Sequence, residues 1–474
     1  MGKVRIVIAL SSIVSLAICI INISKVHNSL FITAFYPLFY LVVAIPLINL
    51  LSNRNRGCRI TVSAYLLLQW LRCVFIPTIS SISGYFSFVS DIADESSAQT
   101  ASFLCLIELI VTSCLCYVIL KYSRKSEYVQ SVSFGLSGNK TIYSVFFVAM
   151  LVLYLFRGRG MFTFLALSSN VSSRASLSDR NLILQALIEY GLICFMIISL
   201  YFCYNQSKKT GKKKYIWIAL LLSMLRICII SSESESRMAI LYSVGVYLFL
   251  LPRLFPSEKK RIIISIFAIG FAVIGLLTIY KTFRAFMYGS YVEAIIKEGS
   301  TTDMNSTSYT FDSYFYGVKD VARNIYISRQ TGLTVKNIIA DVVQNIFGLK
   351  YLIPSTGNTT IGEYNFFIYN GGRISGHLYS AIAYGYSYVG FLLAPLATCI
   401  NILIVAYLES LLNRFRNLDT QYIYCLIFVR SAASMFACFP LTLNYLARTL
   451  IIGTIVIGGA SIFKRNKRIR EIGS

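Results

Sequence analysis

Three stretches of this chain gather the residue types that handle phosphate groups and protons. Arg157-Gly158-Arg159-Gly160 is followed by Arg174 in NVSSRASLSDRN; SSESESRMAI carries Glu233, Glu235 and Arg237; and Gly371-Gly372-Arg373-Ile374-Ser375-Gly376-His377-Leu378-Tyr379 sets an arginine, a histidine and a tyrosine among glycines. Arginine suits phosphate because its planar fork donates two parallel hydrogen bonds and keeps its proton. His377, one of only two histidines, is a natural general base near neutral pH. A hydrogen-bonded role at a helix start is an equal alternative for it, and Glu363, Glu233 and Glu235 are rival bases. The glycines around Arg373 let the backbone bend and approach a ligand. The other histidine, His27, falls in a short turn and reads as incidental.

Further arginines, Arg72, Arg226, Arg284 and Arg448, lie inside apolar segments or at their ends. Charges within a membrane are costly and tend to face a bundle interior or a water-filled cavity. Arginines gathered at one membrane depth suggest a site for a lipid-linked diphosphate. The alternative for any one of them is snorkelling to headgroups. Arg237 and Arg373 favour function, since each joins other polar groups in a compact motif. No Walker, Rossmann, HExxH or zinc-spaced Cys/His pattern occurs, so neither a metal nor a cofactor is expected.

The elements that must position these groups are membrane helices. The chain of 474 residues is 56% hydrophobic and 14% charged, with a mean hydropathy of +0.67. Soluble domains carry nearly twice that charge. Apolar runs of bilayer-crossing length occur near 6–23, 30–51, 60–79, 101–120, 142–156, 182–203, 215–231, 238–255, 262–282, 386–411, 421–439 and 447–463. Every second connection is basic: Arg54, Arg56 and Arg59; Lys121, Arg124 and Lys125; Lys208 through Lys214; Lys259, Lys260 and Arg261; Arg414 and Arg416; and the tail from Lys464. That alternation predicts twelve helices with both termini cytoplasmic, the first of them an uncleaved N-terminal span.

The formal net charge of +24 therefore belongs to the membrane topology, and nucleic-acid binding is disfavoured. The twelve cysteines avoid the longest loop, so no disulfides are expected there. The organisation expected is 1–282 with nine helices, 283–385 as a long extracytoplasmic loop, and 386–474 with three helices and a basic tail. The loop balances eight cations, from Arg284 to Arg373, against seven acids, from Glu293 to Glu363. It is rich in tyrosine and is expected to hold short helices such as 333–347. Long connections of this kind usually carry function.

In layout, in SESESRMAILYSVGVYLFLLP and in GGRISGHLYSAIAYGYSYVGFLLAPLATCINILIVAYLESLL, the sequence resembles the Wzy-type oligosaccharide repeat-unit polymerases of O-antigen and capsule assembly. Some members carry an arginine followed by glycine eleven residues later; here Tyr384 stands eleven after Arg373 and Gln185 eleven after Arg174. The resemblance implies an all-α, polytopic, GT-C-like glycosyltransferase of the bacterial inner membrane acting on undecaprenyl-diphosphate-linked glycans. It also implies partners: a Wzz-type chain-length regulator and a Wzx-type flippase. On that expectation Arg373 and Arg237 neutralise the diphosphate, with Arg157, Arg159, Arg174, Arg226 and Arg284 in support. His377 or a glutamate (Glu363, Glu235) takes the acceptor proton, and Tyr379 and other loop tyrosines contact sugar. An O-antigen ligase-like transferase or a lipid-linked oligosaccharide flippase is the alternative.

Overall fold

The structure, a computed structural model, describes residues 2–53, 56–89, 92–123, 134–158, 161–164, 179–231, 237–286, 304–346, 349, 359–361, 364 and 379–472. The chain is a multi-pass α-helical membrane protein. Among the described residues, eight helices are long and apolar enough to cross a bilayer, or nine when one bent pair counts as a single span. Two compact units divide the chain. Unit 1 comprises Met1–Tyr128, Thr302–Asn413 and Ser431–Arg448; unit 2 comprises Val129–Thr301, Arg414–Arg430 and Thr449–Ser474.

Unit 1 starts with α1 (Gly2–Ile21), a 3₁₀ stretch (Asn28–Phe35) running into α2 (Tyr36–Ser52), then α3 (Arg59–Trp70), a π-helical turn (Leu71–Phe75), α4 (Ile76–Ser83) and α5 (Glu95–Tyr122). α5 shows why these residues form a packed span. Asp94 caps its start by accepting from the Ser97 amide at 2.8 Å. Small residues recur along one face, with Ala98, Ala101, Ser102, Cys105, Thr112, Ser113 and Cys116 buried. Small side chains let neighbouring backbones come close where hydrophobic contrast with lipid is absent. On the same helix Phe103, Ile110, Tyr117 and Val118 are exposed.

The long hydrophilic segment forms three further helices in unit 1: α11 (Met304–Tyr314), α12 (Val318–Thr331) and α13 (Val335–Asn345). They are numbered after the unit 2 helices that precede them. α13 opens with a capping box between Thr334 and Asn337. α12 is no surface cover: Val318 through Ile325 are all buried, and it packs on α5.

The tenth apolar segment, 386–411, is not one continuous helix. It divides into α14 (Ala381–Leu393) and α15 (Pro395–Arg414). Gly390 adopts φ 78° inside the junction, open to glycine at little cost. Gly385 is needed for another reason, since a Cβ there would lie 2.2 Å from the Ala394 carbonyl oxygen. The eleventh, 421–439, also stops early: α16 (Leu418–Ala433) ends before a non-helical stretch, and α17 (Phe439–Ile472) follows. In that stretch, Asn401 on α15 donates to the carbonyls of Met435 and Ala437 at 3.0 and 2.8 Å. These backbone groups would otherwise lack partners.

Unit 2 contains α6 (Lys140–Arg157), α7 (Asp179–Thr210), α8 (Lys214–Cys228), α9 (Arg237–Leu254) and α10 (Lys259–Phe286), with most of α16 and the latter part of α17. The all-α expectation holds, with one short ribbon beside the helices. The seventh apolar segment, 215–231, ends as helix at Cys228, and Ile229–Ser231 forms β2, antiparallel to β1 (Phe162–Phe164). Aromatic and β-branched residues suit a pleated ribbon better than a helix end. α9 and α10 bend by 115° at a break and reach bilayer-crossing length and apolarity only as a pair; Pro256 sits in the connecting 3₁₀ turn, where it cannot continue a helix.

Candidate functional site

In unit 1 the sequence brings charged residues into the interior, and each is held for an identifiable reason. Arg72 sits on the π-helical turn, a feature frequent at functional or strained positions. Its Nη1 meets Glu108 Oε2 at 2.9 Å and its Nε donates to the Tyr316 carbonyl at 3.1 Å. The guanidinium also lies 4.3 Å from the Phe436 ring centroid. The second oxygen of Glu108 accepts from the Thr398 hydroxyl. Tyr316 has φ +54°, a conformation that costs free energy in a bulky residue and persists where its surroundings enforce it. Arg72 therefore anchors the turn between α11 and α12 to a membrane span.

Beside this pair, α11 and α12 form a charge-balanced layer of two acids and two cations. Asp312 Oδ2 accepts from the Asp320 amide at 2.8 Å and lies 3.7 Å from Arg323 Nη2. Arg323 Nη1 is 4.0 Å from Asp320 Oδ1. Lys319 Nζ donates to the Tyr85 carbonyl at 2.6 Å, between the rings of Tyr85 and Phe88 at 3.9 and 3.6 Å. All four charged side chains are at most 2% exposed.

Asp312 acts here as a substitute cap. The N-cap of α12 is Gly317, which has no side chain to offer, and the Asp320 amide it leaves open is taken by Asp312. Glycine is required at that point, because a Cβ would come within 2.0 Å of Asp312 Oδ1. Burial pushes the Asp312 carboxyl up to about 6, against the opposing pull of Arg323. A second buried acid, Asp341 on α13, accepts from the Thr360 amide at 2.9 Å and the Tyr384 hydroxyl at 3.1 Å, and burial raises it too.

Tyr364 and Tyr379 border this layer. Their rings meet edge to face at 5.2 Å, a favourable arrangement of ring quadrupoles. Tyr379 continues onto Tyr384 at 6.4 Å and shares a 3.0 Å hydrogen bond with the Ser387 hydroxyl. The Tyr364 hydroxyl is buried with no hydrogen-bond partner among the described residues. Burial and the neighbouring charge of Asp320 keep that phenol well above its ordinary value.

The sequence-derived candidates distribute as follows. Glu363, Arg373, His377, Arg159, Arg174, Glu233 and Glu235 lie outside the described residues. Arg237 is the first residue of α9 and Arg284 lies within α10, with only their backbones described. Arg157 is exposed in the last turn of α6. Arg226 is engaged within unit 2, 3.7 Å from Glu189 and donating to the Ile229 carbonyl at 3.1 Å. Tyr379 is 2% exposed, so its ring is a packing anchor.

Sequence reasoning missed Asp312, Lys319, Asp320 and Arg323. The available signals were the Asp320–Arg323 spacing, which puts both on one helix face, and Gly317 directly before that helix. No family model matches the chain, and comparisons with curated proteins and with solved structures return no match.

Proposed function

We propose that this chain is an oligosaccharide repeat-unit polymerase of the Wzy type, a twelve-span, GT-C-like glycosyltransferase of the bacterial plasma membrane with both termini cytoplasmic. It transfers a growing glycan from one undecaprenyl diphosphate to a sugar hydroxyl of a newly arrived repeat unit. The bond between the anomeric carbon and the diphosphate oxygen breaks, a glycosidic bond forms, the hydroxyl proton passes to a base, and undecaprenyl diphosphate leaves. Arg373 and Arg237, supported by Arg159 and Arg284, neutralise the leaving group, a preorganised charge effect that often dominates transferase catalysis. His377 or Glu363 accepts the proton.

One observation carries this reading. Tyr364 and Tyr379, which flank in sequence the stretch containing Arg373 and His377, meet edge to face beside the buried layer of α12. A segment with both ends fixed on a packed base is suited to holding reactive groups in register.

The test is purified protein given lipid-linked repeat units alone. A ladder of longer glycans is the expected product. Transbilayer movement without a ladder points to a flippase and rejects the proposal, as does transfer only to a lipid A core acceptor.

A further inference from the structure

Within unit 2, α6 and α7 approach closely at two glycines. A Cβ on Gly191 would lie 2.5 Å from Met150 Cβ, and one on Gly158 2.7 Å from Ile188 Cδ1. Beside these contacts the two helices and the β1–β2 ribbon line a half-open cavity of about 290 Å³. Phe147, Met150, Tyr154 and Ile188 line it from the helices, and Phe162 and Phe164 from β1. The walls are apolar except for the tyrosine hydroxyl, and a dry cavity is what such walls produce.

The surroundings identify the occupant. α6 is the least buried of the candidate spans, with Val148, Val152, Leu155 and Phe156 exposed beside the cavity wall. A helix that displays large apolar side chains outward faces hydrocarbon, so an opening on its flank meets lipid chains rather than water. The last turn of this helix ends in Arg157, exposed and in no ion pair among the described residues. A cation at the end of a membrane span meets anionic headgroups.

We propose that this cavity holds one acyl chain of an anionic bilayer phospholipid, whose headgroup is held by Arg157. The site is a lipid-binding site distinct from glycosyl transfer and does not depend on that reading. A volume near 300 Å³ is at the small end of ligand pockets and fits a stretch of a single chain.

The experiment uses the full chain in phosphatidylcholine nanodiscs doped with phosphatidylglycerol bearing a diazirine on one acyl chain. After irradiation, labelled peptides are mapped by mass spectrometry. Labelling is expected to concentrate between Phe147 and Phe164 and between Ile188 and Leu192. Leu192→Trp, which fills the cavity, removes it; Leu151→Trp fills it from the exposed side and serves if the first variant loses its thermal transition. Arg157→Gln lowers phosphatidylglycerol labelling about fivefold, the effect of one cation at a membrane surface, and leaves labelling by a phosphatidylcholine probe unchanged. Labelling spread over all lipid-facing helices and indifferent to the filling variants overturns the proposal. Equal capture of the two headgroups overturns the role of Arg157. Preferential capture of a photoreactive prenyl diphosphate at the same peptides overturns the phospholipid assignment.

Discussion

The two units solve opposite problems of the membrane interior. Unit 1 takes part of a hydrophilic segment into its core, where Arg323 meets Asp312 and Asp320, and within its spans Arg72 pairs with Glu108. Unit 2, between α6 and α7, closes with apolar side chains and two glycines and keeps a void. Its partly buried Arg226 faces Glu189, a third of whose side chain is exposed. Thus interior charge in unit 1 serves architecture, because an unpaired ion in low dielectric is too costly to keep. An arginine within an apolar segment is consequently weak evidence for a ligand site until its neighbours are known. Each unit also uses one acid to hold an earlier backbone segment. In unit 1, Glu409 on α15 accepts from the amides of Ile60 and Thr61 at 3.0 and 2.7 Å. In unit 2, Asp419 on α16 accepts from the amides of Ser137 and Gly138 at 2.8 and 3.0 Å.

The contrast can be broken most forcefully at Arg72 and Glu108. Glu108→Ala leaves a buried guanidinium unpaired and should cost about 3–5 kcal/mol, seen as loss of the monodisperse folded protein. Arg72→Met combined with Glu108→Leu should recover most of that. In unit 2, Glu189→Ala should cost under about 1 kcal/mol, as partly exposed pairs do. A large loss there would erase the distinction between the units.

Next in size is Gly317→Ala, which drives a methyl into Asp312 and should cost about 1–3 kcal/mol, measured as a lower Tm. A neutral result would remove the capping account of α12. Lowering pH tests the same acid. The folded state holds the Asp312 proton more tightly than the unfolded chain does, so its contribution to stability grows as pH falls from 7 through about 6. The Tm should rise by under about 1 °C in a chain of this length and lose this dependence in Asp312→Asn. A Tm that falls over that range would mean that Arg323 and the helix N-terminus outweigh burial. Asp94→Ala, which removes the cap of α5, should cost about 1 kcal/mol.

Much of the fold was legible because lipid selects on hydropathy, which the sequence carries residue by residue. Among the described residues eight helices, or nine with the bent pair counted as one span, are long and apolar enough to cross a bilayer, and each falls on an apolar segment read from the sequence. The breaks at Gly390 and in 434–438 were not legible, since their composition is as apolar as their flanks and only the packing of Gly385 and Asn401 requires them. α12 was hidden for a complementary reason. A helix buried on all sides while carrying Lys319, Asp320, Arg323 and Asn324 reads as surface, and only partners distant in sequence, such as Tyr85 and Asp312, make its burial tolerable. The motifs around Arg373 and His377 stand out in the sequence and lie outside the described residues. What the motifs could not reveal was that Tyr379 is an anchor and that Tyr364 lies against it.

The central claim is that chemistry resides with Arg373 and His377, while the buried charges of unit 1 are structural. The most direct test compares glycan-ladder synthesis by Arg373→Ala with that by the double variant Arg72→Met/Glu108→Leu, each normalised to folded protein. The account predicts a loss of about 10²–10³-fold with unchanged Tm in the first, and near wild-type turnover in the second. Full activity in Arg373→Ala, with a dead but stably folded double variant, would contradict it.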